Sequence, residues 1–267
     1  MSNRTELRDD LIAEQQALDA IVDGLDDAQW HKTTPSPAWD IADQIGHLAY
    51  FDAAATMSIS DPPAYLESVA LLARRSQQES PEVFTLEEFR AMAPPQILER
   101  WRTNRTSLAQ AAASLDDRTR VDWYGRAMSG RSFLTARLME TWAHGTDVAD
   151  TIGVRLPATD RLHHIAHLGF ITREWSYRVR GEEPPNGNVR IELTSPSGDL
   201  WTFGAADAVE TITGPAEDFC LVTTQRRHVD DTQLVAGPLG REWLLRAQAF
   251  AGPPTDGPRP SSTRERD

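Results

Sequence analysis

One uninterrupted helix-forming stretch, residues 131–150, does most to constrain how this chain can fold. Its sequence, RSFLTARLMETWAHGTDVAD, is rich in strong helix formers and contains no proline, which favours a single long helix. Glu140 and His144 are four residues apart and therefore lie on the same face of that helix. Together they supply two ligands for a metal, whereas a catalytic zinc usually takes three from the protein. The alternative is an ordinary ion pair on the helix surface.

Amphipathic periodicity predicts four principal helices in the first part of the chain. Their ranges are 5–25, 41–58, 86–115 and 131–150. We expect the third to bend or restart at Pro94-Pro95, because proline disrupts a helix interior. Asp40 is a favourable cap for the second helix and Ser129 or Ser132 for the fourth. The segment between the third and fourth helices is interpreted as a loop.

His47 lies on the second of these helices. In an up-down bundle the second and fourth helices can both face the centre, so His47 would approach Glu140 and His144 at one level of one cavity. Two imidazoles and one carboxylate would then form a ligand set that leaves one metal position open. The alternative for His47 is a core histidine whose ring nitrogens are satisfied by a neighbouring carboxylate or carbonyl.

Composition excludes several classes of function. The net charge of −13 argues against a nucleic-acid-binding surface as the main function. Hydrophobic residues make up 40% of the chain, but no run approaches the roughly 20 apolar residues that cross a membrane. The charged first helix does not resemble a signal peptide, and the one cysteine, Cys220, rules out an internal disulfide framework. We expect a cytoplasmic monomer or homodimer that binds neither nucleic acid nor membrane.

Beyond residue 156 the pattern changes to an α+β arrangement. It predicts a helix over 157–180, strands at 189–193, 200–203 and 208–213, and helices at 216–224 and 241–250. The last residues, rich in Pro, Gly, Ser and charge, are expected to be disordered. The predicted organisation is therefore a helical bundle at 1–155, a small α+β domain with a leading helix at 156–250, and a disordered tail at 251–267.

The second part contains further residues with chemical potential. His163 and His167 form a rival metal pair on the predicted helix, with no third ligand evident; the alternative is a solvated helix face. Arg226 and Arg227 offer guanidinium groups to a carboxylate, or else form an exposed basic turn. Cys220 is interpreted as a packing residue, because no base or cation beside it in sequence would activate its thiol.

Two motifs resemble a known family. PSPAWDIADQIGHL at residues 35–48 and ETWAHGTDV at residues 140–148 are similar to the mycothiol-dependent maleylpyruvate isomerase group, part of the DinB-like superfamily of four-helix metal proteins. The resemblance covers residues 5–152 in less detail. It implies a DinB-like four-helix bundle with a divalent metal, usually zinc, held by His47, Glu140 and His144. The second domain resembles, in architecture, the sterol-carrier-like C-terminal domain of that group.

The resemblance also implies thiol chemistry. In the group, the low-molecular-weight thiol mycothiol adds to an unsaturated diacid, and zinc keeps such a thiol deprotonated at neutral pH. We predict a zinc-dependent thiol S-transferase or thiol-assisted isomerase that acts on a small electrophilic acid, with mycothiol as co-substrate. Arg226 or Arg227 would anchor a carboxylate, and Asp147 would orient a ligand or carry a proton. Tyr50 and Trp142 would line the cleft that binds the thiol.

Two other classes of function stay open at this point. One is a hydrolase that uses zinc-activated water, which turnover of esters or amides without added thiol would favour. The other is a metal-binding or ligand-binding protein without turnover, since a fold alone does not define a reaction. The sequence shows no glycine-rich phosphate loop, Rossmann fingerprint or serine–histidine–aspartate pattern.

Overall fold

Internal contacts divide the chain into two units, Met1–Leu156 and Pro157–Asp267. The computed structural model describes residues 4–77, 81–116 and 119–264. Helices dominate, and a small sheet lies towards the C-terminal end of the sequence, which confirms the predicted mainly α class. Within the described ranges, no helix is both long enough and apolar enough to cross a membrane.

The first unit is a helical bundle that carries a short hairpin. Its helices are α1 (Arg4–Val22), α2 (Asp27–Trp30), α3 (Ile41–Ser60), α4 (Pro62–Arg75), α5 (Pro81–Arg90), α6 (Pro94–Ala112) and α7 (Gly130–Ile152), and its strands are β1 (Arg120–Trp123) and β2 (Arg126–Ser129). Helices α1 and α3 each pack against both α6 and α7, so these four are the main helices of the bundle. The predicted third helix does restart at Pro94, where proline suits the first turn.

The two helices that carry the candidate ligands begin at predicted caps. The Asp40 side chain accepts a hydrogen bond from the backbone N–H of Asp43 at 2.8 Å. Ser129 accepts one from the backbone N–H of Ser132 at 3.2 Å. Helix α7 ends at Gly153, whose φ of 70° lies in the left-handed region that favours glycine. These caps satisfy backbone groups that lack partners inside the helix. They define where α3 begins and where α7 begins and ends.

The segment before α7, which we interpreted as a loop, contains a hairpin. Strands β1 and β2 pair antiparallel, with Trp123 opposite Arg126. Tyr124 and Gly125 form the turn, and both have positive φ, 31° and 111°, as a tight two-residue hairpin turn requires. Tyr65 holds the turn, because its hydroxyl accepts a hydrogen bond from the Tyr124 N–H at 3.0 Å. A Tyr-Gly pair is a weaker turn signal than Asn-Gly, so local sequence alone does not predict this hairpin.

A single carboxylate joins the four main helices. Asp52 of α3 is fully buried. Its Oδ2 accepts hydrogen bonds from Gln15 of α1 at 3.1 Å and from the Trp101 indole of α6 at 3.2 Å. Its Oδ1 accepts one from Nη2 of Arg137 of α7 at 2.9 Å. Burial raises the pKa of Asp52, and Arg137 opposes that rise. A buried carboxylate is tolerated only with such partners, so all four helices contribute to the centre.

The second unit combines helices with a three-stranded sheet. Its elements are α8 (Leu162–Ile171), α9 (Arg173–Arg178), β3 (Val189–Thr194), β4 (Leu200–Phe203), β5 (Glu210–Pro215), α10 (Ala216–Thr223), a 3-10 turn (Val229–Asp231), α11 (Pro238–Leu244) and α12 (Ser261–Arg264). The strand order is β4-β3-β5, with β3 antiparallel to β4 and parallel to β5. All three predicted strands are present, the last shifted by two residues.

The helix predicted over 157–180 is in fact two helices. Helix α8 ends at Thr172, whose φ of −92° and ψ of 8° depart from helical values, and α9 follows directly. The Thr172 hydroxyl donates to the carbonyl of Leu168 at 2.8 Å. Such side-chain bonds to the preceding turn compete with regular helix geometry, which accounts for the break at this residue.

The C-terminal segment is also better ordered than its composition predicts. The backbone N–H of Thr255 donates to Gln248 Oε1 at 3.2 Å, and Gln225 Nε2 donates to the Thr255 carbonyl at 2.9 Å. Farther along, the Ser261 N–H donates to Asp231 Oδ2 at 2.9 Å. These bonds hold residues 251–264 against their own unit, so disorder is wrong for that range. Residues 265–267 lie outside the described residues.

Candidate metal centre

Two helices of the first unit bring His47, Glu140 and His144 together. His47 is on α3, and the other two are one turn apart on α7. Glu140 Oε2 lies 3.2 Å from His144 Nε2 and 3.7 Å from His47 Nε2. One ligand atom from each residue lies within 4.8 Å of the other two, and no second group of this kind occurs among the described residues. The geometry therefore matches the three-ligand hypothesis.

The three side chains are shielded without being sealed. Their exposed fractions are 17% for His47, 27% for Glu140 and 10% for His144. The two imidazole centroids are 4.4 Å apart. A site with this exposure excludes most bulk solvent and still admits a small ligand, which is the usual condition of a binding cleft.

A chain of hydrogen bonds determines which ring nitrogen of His144 carries the proton. The Thr34 hydroxyl donates to the Trp39 carbonyl at 3.0 Å, so its oxygen accepts from Gln44 Nε2 at 2.9 Å. Gln44 must then turn its carbonyl oxygen towards Nδ1 of His144. Because a carbonyl oxygen only accepts, Nδ1 carries a proton. No local pattern in the sequence marks Gln44 or Thr34, since only long-range contacts reveal their roles.

This tautomer provides a test of whether a metal fits. With Nδ1 protonated, neutral His144 directs the Nε2 lone pair towards Glu140 Oε2, 3.2 Å away. Two acceptors at that distance repel each other unless a cation, either a proton or a metal ion, lies between them. Metal-binding histidines characteristically donate their second ring N–H to a polar partner, as His144 does to Gln44. The residues therefore fit a bound metal.

The electrostatics favour the ligand forms of the other two side chains. Burial, and then the neighbouring His144, lower the pKa of His47 to about 4, so His47 is neutral at pH 7. Burial by itself would raise the pKa of Glu140, but hydrogen bonds with His144 and His47, in which a proton takes the place of a metal ion, outweigh it and hold the pKa well below its usual range. The site thus offers two imidazoles and an ionised carboxylate, ligands that zinc binds readily.

Aromatic rings form the walls beside the two histidines. The Trp39 ring centroid lies 5.1 Å from that of His47 and 5.9 Å from that of His144. The Phe51 ring lies 4.5 Å from His47, and Tyr50 packs edge-on against Phe51 at 5.1 Å. Tyr50 therefore adjoins the aromatic wall through its contact with Phe51. Trp39, part of the first motif, was not expected to have this role.

Trp142, which we expected to line the cleft, is placed elsewhere. It is 4% exposed, and helix geometry puts it about 200° around α7 from Glu140. Among the described residues, no ring contact links it to either histidine. Residues that are two positions apart in a helix face nearly opposite sides, so the spacing of Trp142 from Glu140 places it away from the cleft.

The other predicted site residues have different surroundings. Asp147 is buried and accepts a hydrogen bond from the Ser36 hydroxyl at 3.2 Å, whereas both ring nitrogens of His144 have other partners. The orienting role at His144 therefore belongs to Gln44. Arg226 and Arg227 belong to the second unit, and each donates to a backbone carbonyl within its own loop at 2.7 and 2.8 Å. Their action on a substrate stays a prediction.

The rival histidine pair also lies in the second unit. His163 packs edge-on against Trp201 at 5.0 Å and tilts against Phe203 at 5.4 Å, and His167 lies 5.9 Å from Phe203. Neither histidine belongs to a three-residue metal-binding group in the described part of the chain. The environment of this pair is an aromatic sheet face.

Comparison with known families assigns the first unit. A family model described as the mycothiol maleylpyruvate isomerase N-terminal domain matches residues 11–149, more than half of the 267-residue chain. The chain belongs to the mycothiol maleylpyruvate isomerase N-terminal domain family. A model described as wyosine base formation matches residues 185–237, which is too short a segment to place the chain in that second family.

Relatives and solved structures extend the likeness of this family member to nearly its whole length. Two proteins from two strains of Mycobacterium tuberculosis, both described as uncharacterized, are 43% identical over 249 residues, covering 93% of this chain and 96% of theirs. Crystal structures of a mycothiol-dependent maleylpyruvate isomerase and of its mutant share 13% identity, with TM-scores of 0.58 and 0.59 over 95% of this chain and 96% of theirs. At that identity the structures show the common fold. The family resemblance of the two sequence motifs is thereby confirmed.

Proposed function

We propose that this protein is a mycothiol-dependent isomerase or thiol S-transferase that acts on a small electrophilic acid. A divalent metal, zinc by preference, would be held by His47, Glu140 and His144. The observation that carries the proposal is the meeting of these three ligand atoms within 4.8 Å, with the His144 tautomer held by Gln44. The family assignment supports mycothiol as the thiol.

The site residues have distinct tasks in this proposal. A zinc ion with one open position lowers the pKa of a thiol and keeps it deprotonated at neutral pH. His47 contributes a neutral imidazole, and Glu140 contributes the negative charge that offsets part of the metal charge. Gln44 keeps the proton on Nδ1 of His144. Trp39 and Phe51 cover the histidines and exclude water that would compete with the thiol.

The proposed isomerisation is balanced without any further reagent. The thiolate sulfur adds to one carbon of a conjugated double bond, and the π electron pair moves onto the conjugated carbonyl oxygen. Rotation about the new single bond follows. The electron pair then returns, the carbon–sulfur bond breaks, and the thiolate leaves with the double bond in its other configuration. In the transferase version, protonation of the adduct instead leaves the thiol attached to the acid.

The remaining predicted residues keep supporting roles in this proposal. Asp147, buried beside Ser36, would carry a proton near the site. Tyr50, which packs against Phe51, would contact the thiol. Arg226 or Arg227 would anchor a substrate carboxylate. Each role can be tested separately from the metal ligands, because none of the four residues is needed to complete the three-ligand group.

The first experiment is elemental analysis of the purified, zinc-reconstituted protein. We expect about one zinc per chain, lost in His47→Ala and Glu140→Ala. The matched control is the His163→Ala/His167→Ala double variant, which removes the other histidine pair and should retain zinc. Full zinc content in His47→Ala, or no zinc in the wild type after reconstitution, would refute the metal assignment.

The second experiment separates thiol chemistry from hydrolysis. The metal-loaded protein is incubated with maleylpyruvate, with and without mycothiol, and isomerisation is followed by absorbance. We expect turnover only with mycothiol and its loss in Glu140→Ala. Turnover of simple esters in the absence of thiol would instead favour a hydrolase, and the lack of either reaction would leave a binding protein.

A further inference from the structure

Arg137 lies beneath the candidate metal centre on the same helix face. It precedes Glu140 by three residues and His144 by seven, and at 3.6 residues per turn these positions share one side of α7. Its side chain is only 3% exposed. Its Nε and Nη2 both donate to Asp52 Oδ1, at 3.3 and 2.9 Å. A permanent positive charge is therefore held inside the bundle close to the site.

The second edge of this guanidinium is unused by the protein. Nη1 of Arg137 has no hydrogen-bond partner among the described residues. The described atoms that are both sealed from solvent and without a partner are Arg173 Nε, Tyr177 Oη and Trp243 Nε1, so Nη1 is not sealed. A nitrogen of an almost fully buried guanidinium therefore still meets accessible space.

Two aromatic rings lie next to the Arg137 guanidinium, and one of them also contacts His47. The Arg137 Cζ atom lies 6.0 Å from the ring centroids of both Phe51 and Trp123. Phe51 in turn lies 4.5 Å from the His47 imidazole. Because a guanidinium is planar and rigid, the Nε–Nη2 edge bound to Asp52 fixes the direction of Nη1.

A buried ion pair is a poor source of stability, since apolar residues of similar size serve as well or better. Arg137 therefore neutralises Asp52 through one edge, and its accessible Nη1 is available to a ligand. The ligand class that matches a guanidinium edge is a carboxylate or a similar planar anion.

We infer that Arg137 is the substrate-binding residue that recognises a carboxylate of the electrophilic acid, through Nη1. This inference rests on the proposed function, because it assigns the acid to the same cleft as the thiol. Asp52 is the positioning residue, which holds the guanidinium by its other edge. The carboxylate-binding cation is thus part of the first unit, in addition to any contribution from Arg226 and Arg227.

The test uses maleate as the probe and its neutral diamide as the control ligand, with zinc-loaded protein and calorimetry. Removing Arg137 alone would leave Asp52 buried and unpaired, so the main variant changes both ends, Asp52→Asn/Arg137→Gln. Asn at position 52 still accepts hydrogen bonds from Gln15 and Trp101. We expect maleate binding to weaken at least about tenfold, while zinc content and diamide binding stay unchanged.

A second variant covers the case in which the double variant does not fold. Arg137→Lys keeps the charge beside Asp52 but loses the fixed fork of donors, so we expect weaker maleate binding with normal zinc content. Unchanged maleate affinity in the folded variants, or no maleate binding by the wild type, would overturn the assignment of Arg137. Maleate binding that depends on Arg137 without any mycothiol-dependent turnover would uphold the assignment and refute the proposed function instead.

Discussion

Gln44 and His144 are 100 residues apart in the sequence, yet the side-chain carbonyl of Gln44 accepts a hydrogen bond from Nδ1 of His144. Thr34 completes the arrangement by fixing the Gln44 amide. One ring nitrogen therefore bonds to Gln44, and the other faces Glu140 at the candidate metal centre. The hydrogen bond from His144 to Gln44 therefore orients the imidazole ring of His144 towards Glu140.

Replacing Gln44 by Leu should weaken zinc binding about 10- to 100-fold, the usual effect of losing a partner that orients a metal-binding histidine. The side chains are similar in size, so the fold should persist. Competition with a chromophoric chelator measures the change. The control is Gln44→Glu, which keeps an acceptor for Nδ1 and should bind zinc at least as tightly as wild type. Equal affinity in Gln44→Leu would show that Gln44 does not orient His144.

Two glycines beside the metal ligands should respond in opposite ways to alanine. A Cβ at Gly46 would lie 2.8 Å from Phe89 Cβ, close to the backbone of α5, where little adjustment is available. Gly46→Ala should therefore lower the free energy of unfolding by about 1–3 kcal/mol. A Cβ at Gly145 would meet Leu156 at 3.5 Å, an ordinary contact, so the gain in helix propensity should raise stability by about 0.5–1 kcal/mol.

Urea denaturation of these two variants provides the comparison. Each residue precedes or follows a histidine ligand in the interior of a main helix, so the pair is well matched. An equal increase in the free energy of unfolding for both variants would mean that α3 and α5 are not closely packed at Gly46.

An ion-pair cluster between α1 and α6 should make stability depend on pH. Asp19 accepts hydrogen bonds from Arg102 and Arg105. Burial alone would raise its pKa, but the two arginines outweigh burial and lower it from 3.8. A carboxyl group with a lowered folded-state pKa stabilises the fold above its unfolded pKa and loses that contribution as the pH falls through the folded value. Asp19→Asn should therefore cost about 1–3 kcal/mol at pH 7.

The difference between wild type and Asp19→Asn should narrow once the pH falls below 3.8 and approach zero below the lowered pKa. Measuring both proteins at each pH cancels the titration of other carboxyl groups. A difference that stays constant from pH 7 down to pH 2 would contradict a stabilising role for ionised Asp19.

The one cysteine should be inert in the native protein. Cys220 is fully buried in α10, and burial raises the pKa of its thiol well above the ordinary value. Since the thiolate is the reactive form, we expect a thiol-specific reagent to react at pH 7 only after denaturation. Cys220→Ala should leave thiol-dependent turnover intact, which would confirm that the reacting sulfur comes from the co-substrate. Loss of turnover with normal folding and zinc content would implicate Cys220.

The three candidate ligands could be grouped from the sequence because their signals are local. Glu140 and His144 share a helix face by spacing alone, and His47 follows from the expected pairing of two helices. Gln44 and Thr34 were not predictable, because a buried glutamine has no periodic signature and its partner lies far away in sequence. Trp39, rather than Trp142, packs beside the histidines. Its position was not predictable either, because a loop residue is positioned by hydrogen bonds that leave no periodic pattern in the sequence.

The fold shows the same division between local and distant signals. Helix starts at Asp40, Pro94 and Ser129 follow from capping and proline chemistry. The break at Thr172 depends on one side-chain hydrogen bond in a stretch whose apolar pattern continues. The composition of the C-terminal segment does not predict its hydrogen bonds, in which Gln225 donates to the backbone carbonyl of Thr255 and Gln248 accepts from its backbone N–H.

The buried link between Asp52 and Arg137 bears on the order in which the protein can fold during its synthesis. The two residues are 85 positions apart, so α1, α3 and α6 leave the ribosome before the guanidinium that Asp52 requires. A nascent chain that collapsed early would have to enclose a carboxylate without its cation, which is unfavourable. We expect the bundle to remain open until α7 emerges and then to close in one step, with the face of α7 that carries Glu140 and His144 the last part added.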